Sequence, residues 1–143
     1  MFDIFSVSAS GMEAQRLRMN IIAGNLSNVD TTRTPEGGPY RRKDVLFSAN
    51  YGVNAFSGYL DASMNNYNAG VRVSGIIEDQ RPLRYAYDPG HPDADKNGYV
   101  AYPNVNAAEE MVNMISASRS YEANVAAFKA TRDMAVKALD LAQ

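Results

Sequence analysis

The feature that most constrains this chain is a pair of long amphipathic segments at its two ends, each with apolar residues at heptad-like spacing. Near the start the stripe is Phe5, Met12, Met19 and Leu26, with Ala9 and Ile22 between them. Near the end it is Met111, Met114, Ser118, Tyr121, Val125, Phe128, Arg132, Ala135, Leu139 and Ala142. That spacing lays one narrow apolar stripe along each helix, and a narrow stripe is covered by another helix. The two segments can cover each other, or other subunits can cover them. The spacing fits both.

The first helix is expected to begin near Asp3, a capping residue, and to run to about Asn28. There Asn25, Ser27, Asn28, Asp30, Thr31 and Thr32 disfavour a helix interior. Gly11 and Gly24 lie inside it. Each weakens the helix by up to about 1 kcal/mol relative to alanine, and each also lets a neighbouring backbone come close. The second helix has a sharper start. Pro103 ends an extended segment, and Asn106 followed by Glu109 has the spacing of a capping box. No glycine or proline interrupts the chain from there to Gln143. A helix of about 36 residues would be roughly 54 Å long, too long for a small β unit to cover. Ser118 and Arg132 interrupt its stripe, and polar seam residues select register and partner at a cost in stability.

Between the helices the period changes. Thr34-Pro35-Glu36-Gly37-Gly38-Pro39 is a loop on composition alone. Val71 and Val73 alternate with Arg72 and Ser74; Leu83, Tyr85 and Tyr87 alternate with Arg84 and Ala86. Period two means strands with one covered face, and Gly98–Tyr102 is a further short candidate. The expected fold class is therefore α+β. The N- and C-terminal helices (1–30 and 105–143) form a coiled-coil-like helical domain. A Pro/Gly-rich extended segment (31–44) leads into a small β-rich middle domain (45–104).

Composition narrows the function. The net charge is −2 with both signs mixed along the chain, which is no nucleic-acid footprint. The run Arg41-Arg42-Lys43 is too short to alter that and reads as a solvated or interface-facing strand edge. There are no cysteines, so disulfide and thiolate chemistry are excluded. No segment approaches the roughly 20 apolar residues that span a bilayer. The start, Met-Phe-Asp-Ile-Phe-Ser, has neither the basic nor the apolar region of a cleavable signal, so export would use another route.

Nor does the chain carry a catalytic constellation. His91, the only histidine, sits in Asp88-Pro89-Gly90-His91-Pro92 with no nucleophile signature and reads as a loop hydrogen bonder. Asp93-Ala94-Asp95-Lys96-Asn97-Gly98 matches the first half of a calcium-binding EF-hand loop. The twelfth loop position is Asn104 rather than a bidentate Glu, and the flanks are not helical, so an Asx turn is the expected reading. Glu109 and Glu110 lie in the first turn of a helix, where the dipole favours acids. No cofactor or metal is implied, and the chain does not read as an enzyme. On the residues alone, a self-contained helical hairpin acting as an adaptor remains open.

Ser10-Gly11-Met12-Glu13-Ala14-Gln15-Arg16-Leu17-Arg18-Met19-Asn20, continued by Ile22-Ala23-Gly24-Asn25-Leu26-Ser27-Asn28, resembles the N-terminal motif of flagellar rod and hook proteins. The loop Thr31–Lys43, the run from Asp88 to Asn106, and Glu109-Glu110-Met111-Val112 through Ser118-Arg119-Ser120-Tyr121 narrow the resemblance to the FlgC family of basal-body rod proteins. Nearly the whole chain takes part, apart from roughly residues 49–70. The resemblance implies a structural subunit of the proximal rod, the drive shaft from rotor to distal rod, hook and filament. Its terminal helices would pack beside the export channel. It implies passage through the flagellar type III export apparatus without a cleaved signal, and a basal-body location crossing the periplasm. The implied partners are further copies of itself, the rod proteins FlgB, FlgF and FlgG, and the adaptor FliE, with no nucleic acid and no membrane insertion. Another axial subunit is the nearest alternative. The implied subunit-interface residues are the helix stripes: Phe5, Met12, Met19, Ile22, Leu26, Met111, Met114, Tyr121, Val125, Phe128 and Leu139.

Overall fold

The computed structural model describes residues 2–50 and 70–141. Helix α1 spans Phe2–Ser27 and helix α2 spans Ala107–Asp140. Between them lie strands β1 (Lys43–Asn50), β2 (Gly70–Glu78), β3 (Arg84–Tyr87) and β4 (Tyr99–Tyr102). The fold class is α+β, as the change of period predicts. Most of the 49–70 stretch that stands outside the family resemblance, and Ala142 of the second stripe, lie outside the described residues.

The two helices pack against each other as an antiparallel hairpin. Phe5 meets Phe128 edge-to-face at 5.0 Å between ring centroids, and Asn25 bonds to Glu110 at the other end. Between them the helices approach closely: a Cβ on Gly11 would lie 3.1 Å from the amide of Asn124. Gly11 is thus the residue that lets the backbones draw together. Gly24 has open space around it. Its carbonyl instead takes the amide and the side chain of Asn28 and the hydroxyl of Ser27. Those bonds satisfy a group that the helix end would leave orphaned and stop α1.

The buried face of α2 differs from its most apolar face. Glu110, Ala117 and Thr131 are buried, and Met114, Tyr121, Asn124 and Phe128 are half-buried between them, in alternating steps of four and three. The apolar stripe coincides with this set at Met114, Tyr121 and Phe128. At the alternate positions it lies one residue further along, at Met111, Ser118, Val125 and Arg132. At those alternate positions the shared face carries small or polar side chains, Glu110, Ala117, Asn124 and Thr131. Hydrophobicity therefore marks the neighbouring residue instead. From α1 the buried residues are Ser8, Ala14, Ile22 and Asn25, again mostly small or polar.

β1 and β2 form an antiparallel ribbon packed on α1. Leu46 pairs with Gly75 and Phe47 with Val73, so Ser74 is an extra residue in β2. Its hydroxyl donates to the Leu46 carbonyl, a bulge that bends the ribbon. Ser10 fastens the ribbon to the helix: its hydroxyl donates to Val7 O and accepts from Val71 N at 3.0 Å. β3 and β4 form a second antiparallel ribbon. One side of it is buried at Val100, while Tyr85, Tyr87 and Tyr99 are exposed on the other. The expected loop at 34–39 closes through Thr34 N to Gly38 O (2.8 Å) and Tyr40 N to Thr31 O (3.0 Å). Gly37 and Gly38 there hold positive φ angles of 91° and 78°, which suit glycine alone among common residues.

Candidate subunit interface

The centre of the molecule is a buried polar cluster where α1, the segment entering β1 and the start of α2 meet. Asn106 begins α2 as its N-cap, accepting from Ala108 N. This cap sets the first turn so that Glu110 turns inward, where it is fully buried. Glu110 Oε1 accepts from Arg42 Nε at 2.8 Å, and Oε2 accepts from Asn25 Nδ2 at 2.9 Å. Asn25, also fully buried, uses every valence it has. Its Nδ2 also donates to Lys43 O at 2.8 Å, while Oδ1 accepts from Lys43 N at 2.9 Å and from the Tyr40 hydroxyl at 3.0 Å. The side-chain amide thus pairs with the Lys43 backbone as a neighbouring strand would, capping the start of β1.

Arg42 completes the cluster. Besides Glu110, its guanidinium meets Asp44 at 3.1 Å and Asp79 at 3.6 Å, and its backbone N–H donates to Asn104 Oδ1. Asn104 in turn donates to the carbonyls of Asp79 and Arg81. Every buried charge here has an opposite charge and a directed hydrogen bond, the condition under which such a cluster is tolerated. The pKa directions agree. Burial alone pulls the Arg42 guanidinium down, but the bonds and charges of Glu110 and Asp44 outweigh it and hold it above its ordinary value. Burial raises the Tyr40 phenol, helped by the charges of Glu78 and Glu110, and keeps it a donor to Asn25. The Arg81 N–H bond lowers the Asp79 carboxyl against a smaller cost of burial, with the Arg81 and Arg42 side chains adding to the effect.

Two readings from the sequence are corrected here. Arg42 is not part of a solvated or interface-facing strand edge; its side chain is only 10% exposed and is spent on Glu110 within the chain. Glu110 is more than an acid favoured by the helix dipole, since it is fully buried and bridges three segments. The signal that could have found the cluster is a long-range one, Asn25, Arg42 and Glu110 together, and no local window contains it.

The stripe residues fall into three groups. Ile22 is buried. Phe5, Met12, Met19, Leu26, Met114, Tyr121, Val125 and Phe128 are half-buried. Met111 and Leu139 are exposed, at 53% and 68%. Further large apolar residues are exposed beside these two. Val112 and Ile115 flank Met111 near the start of α2, and Met134, Val136 and Leu141 accompany Leu139 near its end. The last turns of α2 run on past Thr131, where the buried positions shared with α1 stop.

The loop around His91 does local work. His91 Nδ1 accepts from Asp93 N at 3.1 Å. Asp93 Oδ2 accepts from Thr32 at 2.8 Å, which ties this loop to the one after α1. Asp95 Oδ1 accepts from the backbone of Asn97 and Tyr99, an Asx turn. Gly98 at φ 79° closes it. The acids of the half EF-hand sequence are thus occupied by neighbouring donors. Among the described residues, no group of three or more His, Cys, Asp or Glu side chains is placed to hold a metal. No described helix is long and apolar enough to cross a membrane.

Two family models match. Residues 5–33 match the flagella basal body rod protein family, and residues 96–141 match the C-terminal family of the flagellar basal body rod FlgEFG proteins. These matches take in α1 with its closing turn and β4 with α2. Full-length relatives agree. The chain is 45% identical to the flagellar basal-body rod protein FlgC of Borreliella burgdorferi, with 100% of this chain and 98% of the relative covered. It is 45% identical to FlgC of Bacillus subtilis, covering 98% and 97%. It is 41% identical to FlgC of Salmonella typhimurium, covering 100% and 98%.

Proposed function

The chain belongs to the FlgC family of flagellar basal-body rod proteins, and from that premise we propose that it serves in the proximal rod as a load-bearing subunit. It is a structural component of the basal body, not an enzyme, and it associates with other rod proteins. In the proposed arrangement, the outer faces of α1 and α2 pack coiled-coil-like against helices of neighbouring subunits beside the export channel. The terminal helical unit (1–30 and 105–143) carries the axial contacts, and the β-rich unit (45–104) lies outside it. The neighbours are further copies of this chain, FlgB, FlgF, FlgG and FliE, and the subunit reaches the rod across the periplasm through the type III export route.

The observation that carries this reading is the far end of α2. Met134, Val136, Leu139 and Leu141 stand 51–89% exposed there. Leaving such side chains in water forgoes about 1.5–3 kcal/mol each; in a rod their cover would come from a neighbouring subunit. The stripe residues Phe5, Met12, Met19, Ile22, Leu26, Met111, Met114, Tyr121, Val125, Phe128 and Leu139 are the proposed interface set. Some of them also serve the intrachain seam. A drive shaft resists torsion by sharing load over many such contacts.

The test is complementation of a deletion strain. The wild-type gene restores swimming and complete rods, while Leu139→Asp gives normal expression, no swimming and basal bodies without a completed rod. Normal swimming with Leu139→Asp would remove this end of α2 from the interface.

A further inference from the structure

The helix hairpin has a seam that nearly repeats itself. Along α2 the larger side chains Met114, Tyr121 and Phe128 recur every seven residues. Ala117, Asn124 and Thr131 recur at the same interval in the alternate positions. On α1 the facing residues are small at Ser8, Gly11 and Ala14. Sliding α2 by one heptad along α1 therefore puts large on large and small on small. Apolar packing by itself distinguishes these registers weakly, because burial is not directional.

Only the end of the seam at Glu110 breaks the repeat. A slide toward the start of α1 brings Glu110 level with Arg18, so the acid alone does not forbid it. Asn25 and Arg42 do. Asn25 is held by both backbone groups of Lys43, and this pairing ties Arg42, the residue before Lys43, to α1. Neither can follow α2, and a slide in either direction strips both of Glu110 at once. Asp44 and Asp79 stay beside the guanidinium, but Arg42 Nε and one Asn25 Nδ2 hydrogen lose their acceptor; orphaned buried donors cost more than a misplaced methyl group, and a single buried polar contact is known to fix helix register in this manner.

We propose that Asn25, Arg42 and Glu110 form a register lock for the α1–α2 hairpin, selecting one alignment out of several that the rest of the seam would accept. The lock excludes misaligned pairings and leaves the apolar seam free of that task. It does not depend on which neighbours the rod supplies.

The absence of cysteine makes the test clean. Three paired substitutions report the alignment: Gly11→Cys with Asn124→Cys for the observed register, and Gly11→Cys with Ala117→Cys or with Thr131→Cys for the two slides. Removal of the Asn124 amide leaves room for the new side chain at position 11. Intrachain bridges formed by mild oxidation of the monomer are separated by mass from bridged dimers. In the otherwise native chain, only the first pair closes. With Arg42→Met and Glu110→Leu together, helix content by circular dichroism is retained, and bridges of one or both slid registers form to an extent comparable with the first. Closure of the first pair alone in that double variant would overturn the proposal, because packing would then set the register. Loss of helix in it would overturn the proposal equally, since the pair would then supply stability instead of alignment.

Discussion

At the first turn of α2 a carboxylate is fully buried, while in its last turns four large apolar side chains face solvent at 51–89% exposure. One helix thus places a charge inside and leucines outside. The two ends differ in what the same chain supplies. Around Glu110, α1 brings Asn25 and the segment entering β1 brings Arg42, so the acid is enclosed by donors. Past Thr131 no described residue of α2 is fully buried, and Met134, Val136, Leu139 and Leu141 are exposed. The first end is closed within the chain; the second is the end for which a covering neighbour is proposed. Burial therefore reports the contacts made within the chain, while hydrophobicity also marks faces that the proposed assembly would cover.

The comparison can be broken most severely at the buried end. Glu110→Ala leaves Arg42 Nε and Asn25 Nδ2 buried without an acceptor, with only Asp44 and Asp79 beside the guanidinium. A loss of about 3–5 kcal/mol is expected, seen as a drop in the denaturant midpoint of the isolated subunit. A loss below about 1 kcal/mol would mean that water reaches Arg42 and that this end is no more closed than the other. Phe128→Ala lies between the two ends. It removes a half-buried ring and its edge contact with Phe5, so a smaller loss, roughly 1–3 kcal/mol, is expected by the same measurement. In cells, the same variant is expected to abolish rod assembly while expression persists.

A pH series sharpens the picture of the closed end. The Asp79 carboxyl has a folded pKa below its unfolded value, chiefly through the Arg81 N–H bond. Its contribution to stability is thus fully present above about pH 4 and is lost as pH falls through the lowered folded value. Asp79→Asn should lower stability at neutral pH, where the contribution is present, and change it little below the folded pKa, so that the acid limb flattens; an unchanged acid limb would remove Asp79 from the account. The Tyr40 phenol runs the other way. Its raised pKa means that its contribution holds below about pH 10 and is lost as pH rises through the folded value.

The smallest effect belongs to the open end. Leu139→Asp should change the stability of the monomer by no more than about 0.5 kcal/mol, as exposed substitutions do, and yet prevent rod assembly. A large loss in the monomer would show that this end is covered within the chain, and the contrast between the two ends would disappear.

The sequence by itself determined both helices and three of the four strands; β1 (Lys43–Asn50) was not among the strands it marked. Period 3.6 marks the two helices, Asn106 marks the start of α2 within a residue, and period two marks β2, β3 and β4, because these signals lie within a few residues of one another. The rod-family resemblance was legible for the same reason, in contiguous runs around Asn25 and in the two Pro/Gly loops. Tertiary structure decided which face of α2 is buried, since close approach at Gly11 favours Ala117 and Thr131 over the more apolar residues beside them. It also decided that Arg42 and Glu110 are a buried pair and not two surface charges. They stand 68 residues apart, and nothing local distinguishes a carboxylate that faces water from one that folding encloses with a guanidinium and an amide.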